Sequence, residues 1–215
     1  MAETAKHIDE IVDDGASWYA VRLFTIRQEE VKAFFIENGL ECFVPQQYVV
    51  VEGSNGRPHE ILRPVVRNLI FVKQAAGERQ FRKIIQDADY KISVLRKSKD
   101  SQEYALIPHE QMYEFRLMCN PEITMRKFLS SEEARMKAGT EVFVKFGPLK
   151  GLSGRLVRSS KKYYLLKEVP GIGVMLKVSR WCCVPSPSTW RTRACSRARS
   201  RCRASWVTTR TTTLW

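Results

Sequence analysis

The sequence predicts an α+β fold: an antiparallel sheet flanked by helices, followed by a small β-barrel. Three observations carry this. Over the first 120 residues, short aromatic and apolar runs alternate with segments of helical periodicity. From Gly139 onward the pattern changes to short strands separated by turns. Between them, residues 120–138 show no sustained apolar period and read as a linker with room for a short helix.

Residues 1–16 read as a flexible arm. Residues 18–24, Trp-Tyr-Ala-Val-Arg-Leu-Phe, mix aromatic and β-branched side chains and read as a strand. A helix follows over 27–38, with Val31, Phe34 and Phe35 on one face and Gly39 placed for a left-handed cap. The next strand, 42–51, is broken early by Pro45. Asn55-Gly56 suits a tight hairpin turn, and 61–66 with 69–72 form the returning strand. A second helix over 78–88 buries Phe81, Ile84, Ile85 and Ala88 at spacings of three and four. Residues 92–95 form a short strand. Pro108 suits the opening of a third helix that uses Met112, Phe115 and Cys119. Antiparallel strands covered by helices on one face make an α+β unit over 17–119. Strands at 142–146, 154–158, 163–167 and 174–178 then supply the barrel, over 139–184.

The formal net charge is +13, which favours polyanionic partners. Without the seven arginines of residues 185–215, 29 basic residues face 23 acidic ones, a balance of +6. The folded part is therefore only mildly basic. That last segment is a low-complexity Arg/Ser/Thr mixture with Trp190, Trp206 and Trp215. It reads as disordered or as a non-native, shifted-frame extension. The opening residues lack a basic start and an apolar stretch, and no run approaches the roughly 18 apolar residues of a membrane span. A soluble, cytoplasmic monomer with no membrane partner is expected. The six cysteines form no Cys-x-x-Cys pair and are expected as free thiols.

Catalytic signatures are missing. The histidines, His7, His59 and His109, are scattered, and no phosphate loop, nucleophile elbow or dinucleotide fingerprint occurs. Pairing Cys42 or Cys119 with His59 or His109 is weaker than reading each cysteine as core filler. Adjacent Cys182 and Cys183 lack zinc-ligand spacing. The expectation is no enzyme, no cofactor and no metal, with function residing in binding surfaces.

One segment is more specific. Gly139-Thr140-Glu141-Val142-Phe143-Val144-Lys145-Phe146-Gly147-Pro148-Leu149-Lys150-Gly151-Leu152-Ser153-Gly154-Arg155 is strand, Gly-Pro turn and strand. Gly147 and Gly151 permit tight turns, and Gly154 permits close packing in the next strand. This segment resembles a KOW motif. Placed after the strand at 17–24, it resembles the NusG family of transcription elongation factors over about residues 17–184. Tyr104-Ala105-Leu106-Ile107-Pro108 resembles the family's approach to the last helix of its first domain. Arg67-Asn68 stand where the family carries Pro-Gly. The acidic arm and long linker resemble specialised antiterminating paralogues such as the UpxY group.

The resemblance implies an NGN-like domain, an SH3-like KOW barrel and a factor that suppresses pausing or termination. It implies that Leu23, Phe24, Val65 and Val66 face the clamp helices of RNA polymerase. It further implies that Phe146, Leu149 and Ile172, with Lys150 and Arg155, recruit a ribosomal protein or termination factor. Arg27, Lys32, Arg79, Arg82 and Lys83 are candidates for the displaced non-template DNA strand. The rival reading is an RNA-binding, ribosome-associated protein that contains a KOW barrel.

Overall fold

The computed structural model describes residues 14–52, 56–75, 77–98, 100–123 and 125–186. The arm through residue 13, the tail from 187 and the hairpin tip at 53–55 lie outside the described residues. In chain order the elements are β1 (Trp18–Leu23), α1 (Gln28–Glu37), β2 (Cys42–Phe43), β3 (Gln46–Glu52), β4 (Pro58–Pro64), β5 (Leu69–Lys73) and α2 (Glu78–Gln86). Then come β6 (Ile92–Val94), β7 (Leu106–Ile107), α3 (His109–Met118), β8 (Arg126–Ser130), α4 (Ser131–Met136), β9 (Thr140–Val144), β10 (Ser153–Ser159), β11 (Lys162–Val169) and β12 (Ile172–Val178). A 3-10 turn, Arg180–Cys182, leads into β13 (Cys183–Pro185).

The first sheet runs β2-β5-β1-β6, with β7 also pairing β1. All its pairings are antiparallel, Trp18 lying opposite Lys73 and Arg22 opposite Leu69. Its central strands are apolar on both faces, and both faces are covered. Tyr19, Val21, Leu23, Ile70 and Val72 pack with Val31 and Phe35 of α1 and Phe81 of α2. Trp18, Ala20, Leu69 and Phe71 pack with Met112, Phe115 and Met118 of α3. The expectation of helices on one face is thus corrected. A strand such as Leu-Ile-Phe-Val in β5 has no polar side to leave wet.

Pro45 divides the predicted 42–51 strand between two sheets. β2 joins the first sheet, whereas β3 pairs only with β4 in a two-stranded ribbon. A proline lacks the N–H a continuous ladder needs, so the chain leaves one sheet and starts another. Tyr48, Val50 and Leu62 remain exposed on this ribbon.

The second sheet is antiparallel and follows the order β13-β9-β10-β11-β12-β8. The strands assigned to a barrel form its middle. Among the described residues its outer strands, β13 and β8, do not pair with each other, so the hydrogen-bonded path is open. Positive φ at Gly147 (94°) and Gly151 (97°) makes the Gly-Pro turn between β9 and β10. Gly154 sits so tightly against β11 that a Cβ there would lie 2.7 Å from the Leu166 carbonyl oxygen.

The stretch read as a linker is largely built structure. β8 pairs with β12 along five residues, Ser130 opposite Ile172 to Arg126 opposite Leu176. α4 starts with a reciprocal cap: the Glu133 amide donates to Ser130 Oγ, and the Ser130 amide donates to the Glu133 carboxylate, both at 3.2 Å. Ala134 of α4 is fully buried against Val157, Tyr164, Leu166 and Met175. Only residues 119–125 separate α3 from β8. Both ends of the described stretch are also tied further out than expected. Asp14 pairs with Lys73, and the Ser186 amide donates to the Glu141 carbonyl.

The two sheets share a core. Val142, Val144, Leu152, Leu165, Val169, Ile172, Val174 and Leu176 pack in one cluster with Trp18, Phe71, Met112, Phe115 and Met118. The β11–β12 turn presses on the first sheet closely enough that a Cβ on Gly171 would meet Leu69 Cδ1 at 2.9 Å.

Candidate functional site

Strand alternation separates the four residues implied to face polymerase. Leu23 points into the helix-covered core and is 2% exposed, so it offers nothing to a partner. This corrects its assignment. Phe24, the next residue, is 58% exposed, and the Lys91 ammonium lies 5.7 Å from its ring centroid. Ile26, two residues on and missed in the sequence, is 90% exposed. Val65 and Val66 are half-buried against the shared core. They line a cleft of about 400 Å3 whose other wall is Phe128, Leu129, Gly171 and Ile172 of the second sheet. A hollow is present beside Val65 and Val66, its apolar side chains mixed with Arg22, Asn68 and Ser130, and the second sheet supplies half of it.

The turn between β4 and β5 is fixed without Pro-Gly. Gln28, 5% exposed at the start of α1, donates through Nε2 to the carbonyls of Val66 (3.1 Å) and Leu69 (2.8 Å). The Leu23 amide donates to the Asn68 carbonyl at 2.9 Å. Neither Arg67 nor Asn68 takes a positive φ, so the substitution of this landmark carries no backbone strain. The turn is held from outside, by a side chain on the neighbouring helix.

The cationic candidates on α1 and α2 divide into two groups. Arg27 faces Glu30 at 3.4 Å and Lys32 faces Glu29 at 3.9 Å. Arg82 pairs with Glu78 at 2.7 Å and lies over the Tyr104 ring. Exposed pairs of this kind add little stability but do neutralise each other. Arg79 and Lys83 are exposed and, among the described residues, form no ion pair. They are the two of the five that retain an uncompensated charge.

The second-sheet candidates divide as well. Phe146 is 58% exposed and Lys150 is exposed, so both remain available. Leu149 is half-buried against the shared core. Ile172 is 1% exposed and buried at the junction of the sheets, which removes it as a recruiting residue in this arrangement. Arg155 serves the fold instead. It pairs with Glu168 at 2.8 Å and donates to the carbonyls of Ala134 (3.1 Å) and Lys137 (3.4 Å), fastening α4 to the sheet. Phe143 and Val184, cross-strand partners on β9 and β13, are exposed apolar groups that the sequence reading missed. Their signal was the Val-x-Val alternation of β9, which buries Val142 and Val144 and so turns Phe143 outward.

Polar groups also span the two sheets. The Glu114 carboxylate on α3 accepts from the Ser153 amide (3.2 Å) and hydroxyl (2.9 Å) and pairs with Lys167 of β11. Arg126 at the start of β8 donates to the carbonyls of Cys119, Asn120 and Gln46, and its guanidinium lies 4.8 Å from the Phe128 ring centroid. Burial lowers the pKa of Arg126 and of Arg116, the latter lying over Trp18 and Phe43 beside Glu41. Burial raises the Cys42 thiol to about 12 and pushes Cys119 up as well, leaving both as neutral thiols near pH 7. Among the described residues no three His, Cys, Asp or Glu side chains gather where they could hold a metal ion. No helix among them is long and apolar enough to cross a membrane.

Residues 16–116 match the NusG family, described as transcription termination factor nusG. The matched segment begins just before β1 and ends within α3, taking in the first sheet, α1, α2 and the ribbon. It spans just under half of the chain and supports a protein of that family of transcription factors. No curated protein matches the chain.

Proposed function

We propose that this chain is a transcription elongation and antitermination factor that docks on the clamp helices of RNA polymerase through the rim of its first sheet. The single observation that carries this is the NusG match over the unit that exposes Phe24 and contributes Val65 and Val66 to the cleft. A pair of helices offers a convex ridge, and an apolar depression with a polar margin fits it. Phe24 and Ile26 are the exposed anchors, and Arg67 and Asn68 supply the margin. Burying them contributes at about 25 cal/mol per Å2 of apolar area, less the entropy of docking. Binding of that kind favours the active form of the polymerase by its differential affinity for that form. No bond chemistry is assigned to this chain.

The second sheet, read as a KOW unit, recruits a further protein through Phe146, Phe143 and Lys150. Full access to Val65 and Val66 requires the second sheet to move off them, so Phe24 and Ile26 engage first. Arg79 and Lys83 are the cations best placed to meet displaced DNA, as in a specialised paralogue. The test is a purified transcription assay with Phe24→Asp in the full chain. Pause suppression and capture by isolated clamp helices should both be lost, with far-UV circular dichroism unchanged. Retention of either by the folded variant removes the assignment.

A further inference from the structure

We infer that the outer edge of β3 is a pairing surface for a second copy of this chain, the two β3 strands running antiparallel and joining two ribbons into one four-stranded sheet. The β3–β4 ribbon is a sheet of its own, so each of its strands has an outer edge. An unguarded edge is a template for another strand. The ladder decides which backbone groups face outward. The Val65 amide donates to the Pro45 carbonyl at 2.9 Å, in the same register that sets Gln46 opposite Pro64. Hydrogen-bonded and non-hydrogen-bonded pairs alternate along antiparallel strands. Gln46, Tyr48, Val50 and Glu52 therefore turn their backbone groups outward from β3, and Pro58, Glu60, Leu62 and Pro64 do so from β4.

The two edges are treated differently. On β4, two of the four outward positions are prolines, which have no N–H to donate, and a third is Glu60, whose charge resists pairing. β3 carries no proline, no glycine and no charge from Gln46 to Val51, and Val49, Val50 and Val51 are β-branched. One end of its edge is closed: Arg126 donates to the Gln46 carbonyl at 3.2 Å, and the Tyr48 hydroxyl donates to Glu122 at 3.3 Å. The middle is open. Val50 is 64% exposed, and among the described residues no backbone group beyond the ribbon bonds to the backbone of Val50 or Glu52.

The strand is its own complement. A twofold axis at Val50 sets it opposite the second copy's Val50, with reciprocal N–H to carbonyl bonds. The same register sets Val49 opposite Val51 and Tyr48 opposite Glu52, so no charge meets a like charge. Pairing β4 about Ile61 would instead set Pro58 opposite Pro64 and His59 opposite Arg63. Tyr48, Val50 and Leu62 share one face of the ribbon and are exposed there. Across the join they and their copies form one continuous apolar strip. A strand pairing of this length buries less than the roughly 800 Å2 per partner of a standard interface, so the dimer is weak, with a dissociation constant of about 10–100 µM. It uses none of the residues assigned to polymerase docking, and the two readings fail separately.

The test is sedimentation equilibrium of the full chain from about 5 to 300 µM, a range that brackets the expected constant. About 0.5 M salt screens the arginines of residues 185–215, and a thiol reductant keeps Cys195 and Cys202 from bridging copies. Val50→Pro removes the central donor, and the ribbon already accepts proline at two equivalent positions, Pro58 and Pro64. This variant should dimerise about 10- to 100-fold more weakly, having lost two symmetric hydrogen bonds, with its far-UV circular dichroism unchanged. Glu60→Pro, the matching change on the guarded edge, should leave the dimer as it is. In the parent chain, amide hydrogen exchange at Val50 should slow as concentration rises, which a merely structural valine would not show. A chain that stays monomeric throughout overturns the proposal, including one that captures a foreign extended peptide at this edge instead. So does a dimer that survives Val50→Pro, or an equal loss in the Val50→Pro and Glu60→Pro variants.

Discussion

Removing Glu114 should loosen the join between the two sheets more than any single apolar contact on its edge. Its side chain is 18% exposed and that of Lys167 is 13% exposed, so the pair is neither surface-wet nor fully dry. Exposed pairs contribute about 0–1 kcal/mol. Breaking a buried pair from one side costs about 3–5 kcal/mol, mostly because an unpaired charge remains. Glu114→Ala leaves the Lys167 ammonium without its counter-charge and takes away the acceptor for the Ser153 amide and hydroxyl. At this intermediate burial the cost is about 2–3 kcal/mol. With a urea m-value of roughly 2 kcal/mol/M, the unfolding midpoint should fall by about 1–1.5 M. Pairing the change with Lys167→Met should recover part of the loss, because the orphaned charge goes with it. A midpoint shift below about 0.3 M, or a double variant no better than the single one, would refute the reasoning.

Two further outcomes follow from the geometry. Gly154→Ala should destabilise the second sheet by about 2–4 kcal/mol, since the new Cβ meets a backbone oxygen at 2.7 Å that cannot step aside; thermal unfolding by circular dichroism checks this. Asp14 gives a pH dependence of definite sign. Hydrogen bonding to Lys73 and to the Ala16 amide holds its carboxyl below the ordinary 3.8. A depressed carboxylate stabilises the fold above its unfolded pKa and loses that contribution as the pH falls through the folded value. Asp14→Asn should therefore lower stability near neutrality and flatten its decline below about pH 4, read from urea midpoints across pH 2–7.

Much of the fold was legible because local pattern and tertiary context agree. The 3- and 4-residue spacing around Phe35 and Phe81 marks α1 and α2, and Gly39 ends α1 with φ of 75°. The Gly147–Gly151 turn follows from composition alone. Two features were not legible in the same way. β7 is two residues long and exists because β1 offers it an edge, which no local period reveals. β8 has a short, basic sequence, Arg-Lys-Phe-Leu-Ser, that resembles a loop until β12 pairs with it. The Ser130–Glu133 spacing was the available sign that a helix begins there. For the site, alternation along β1 decides that Phe24 and not Leu23 is presented. The burial of Ile172 and the ion pair of Arg155 depend on contacts between distant elements, and no motif displays those. Another meeting of side chains was hidden for the same reason. Arg158 and Arg180 are 22 positions apart, and only the sheet brings both to Tyr163.

Seven residues, 119–125, are all that joins the end of α3 to the first paired residue of β8. Stretched fully, such a leash reaches about 25 Å. Even if the shared core parted, the two halves would stay within a molecular diameter of each other. Whatever the trailing half captures is thereby delivered to the neighbourhood of the leading half at an effective concentration on the order of millimolar. Lengthening this joint would dilute that delivery without altering a single contact surface.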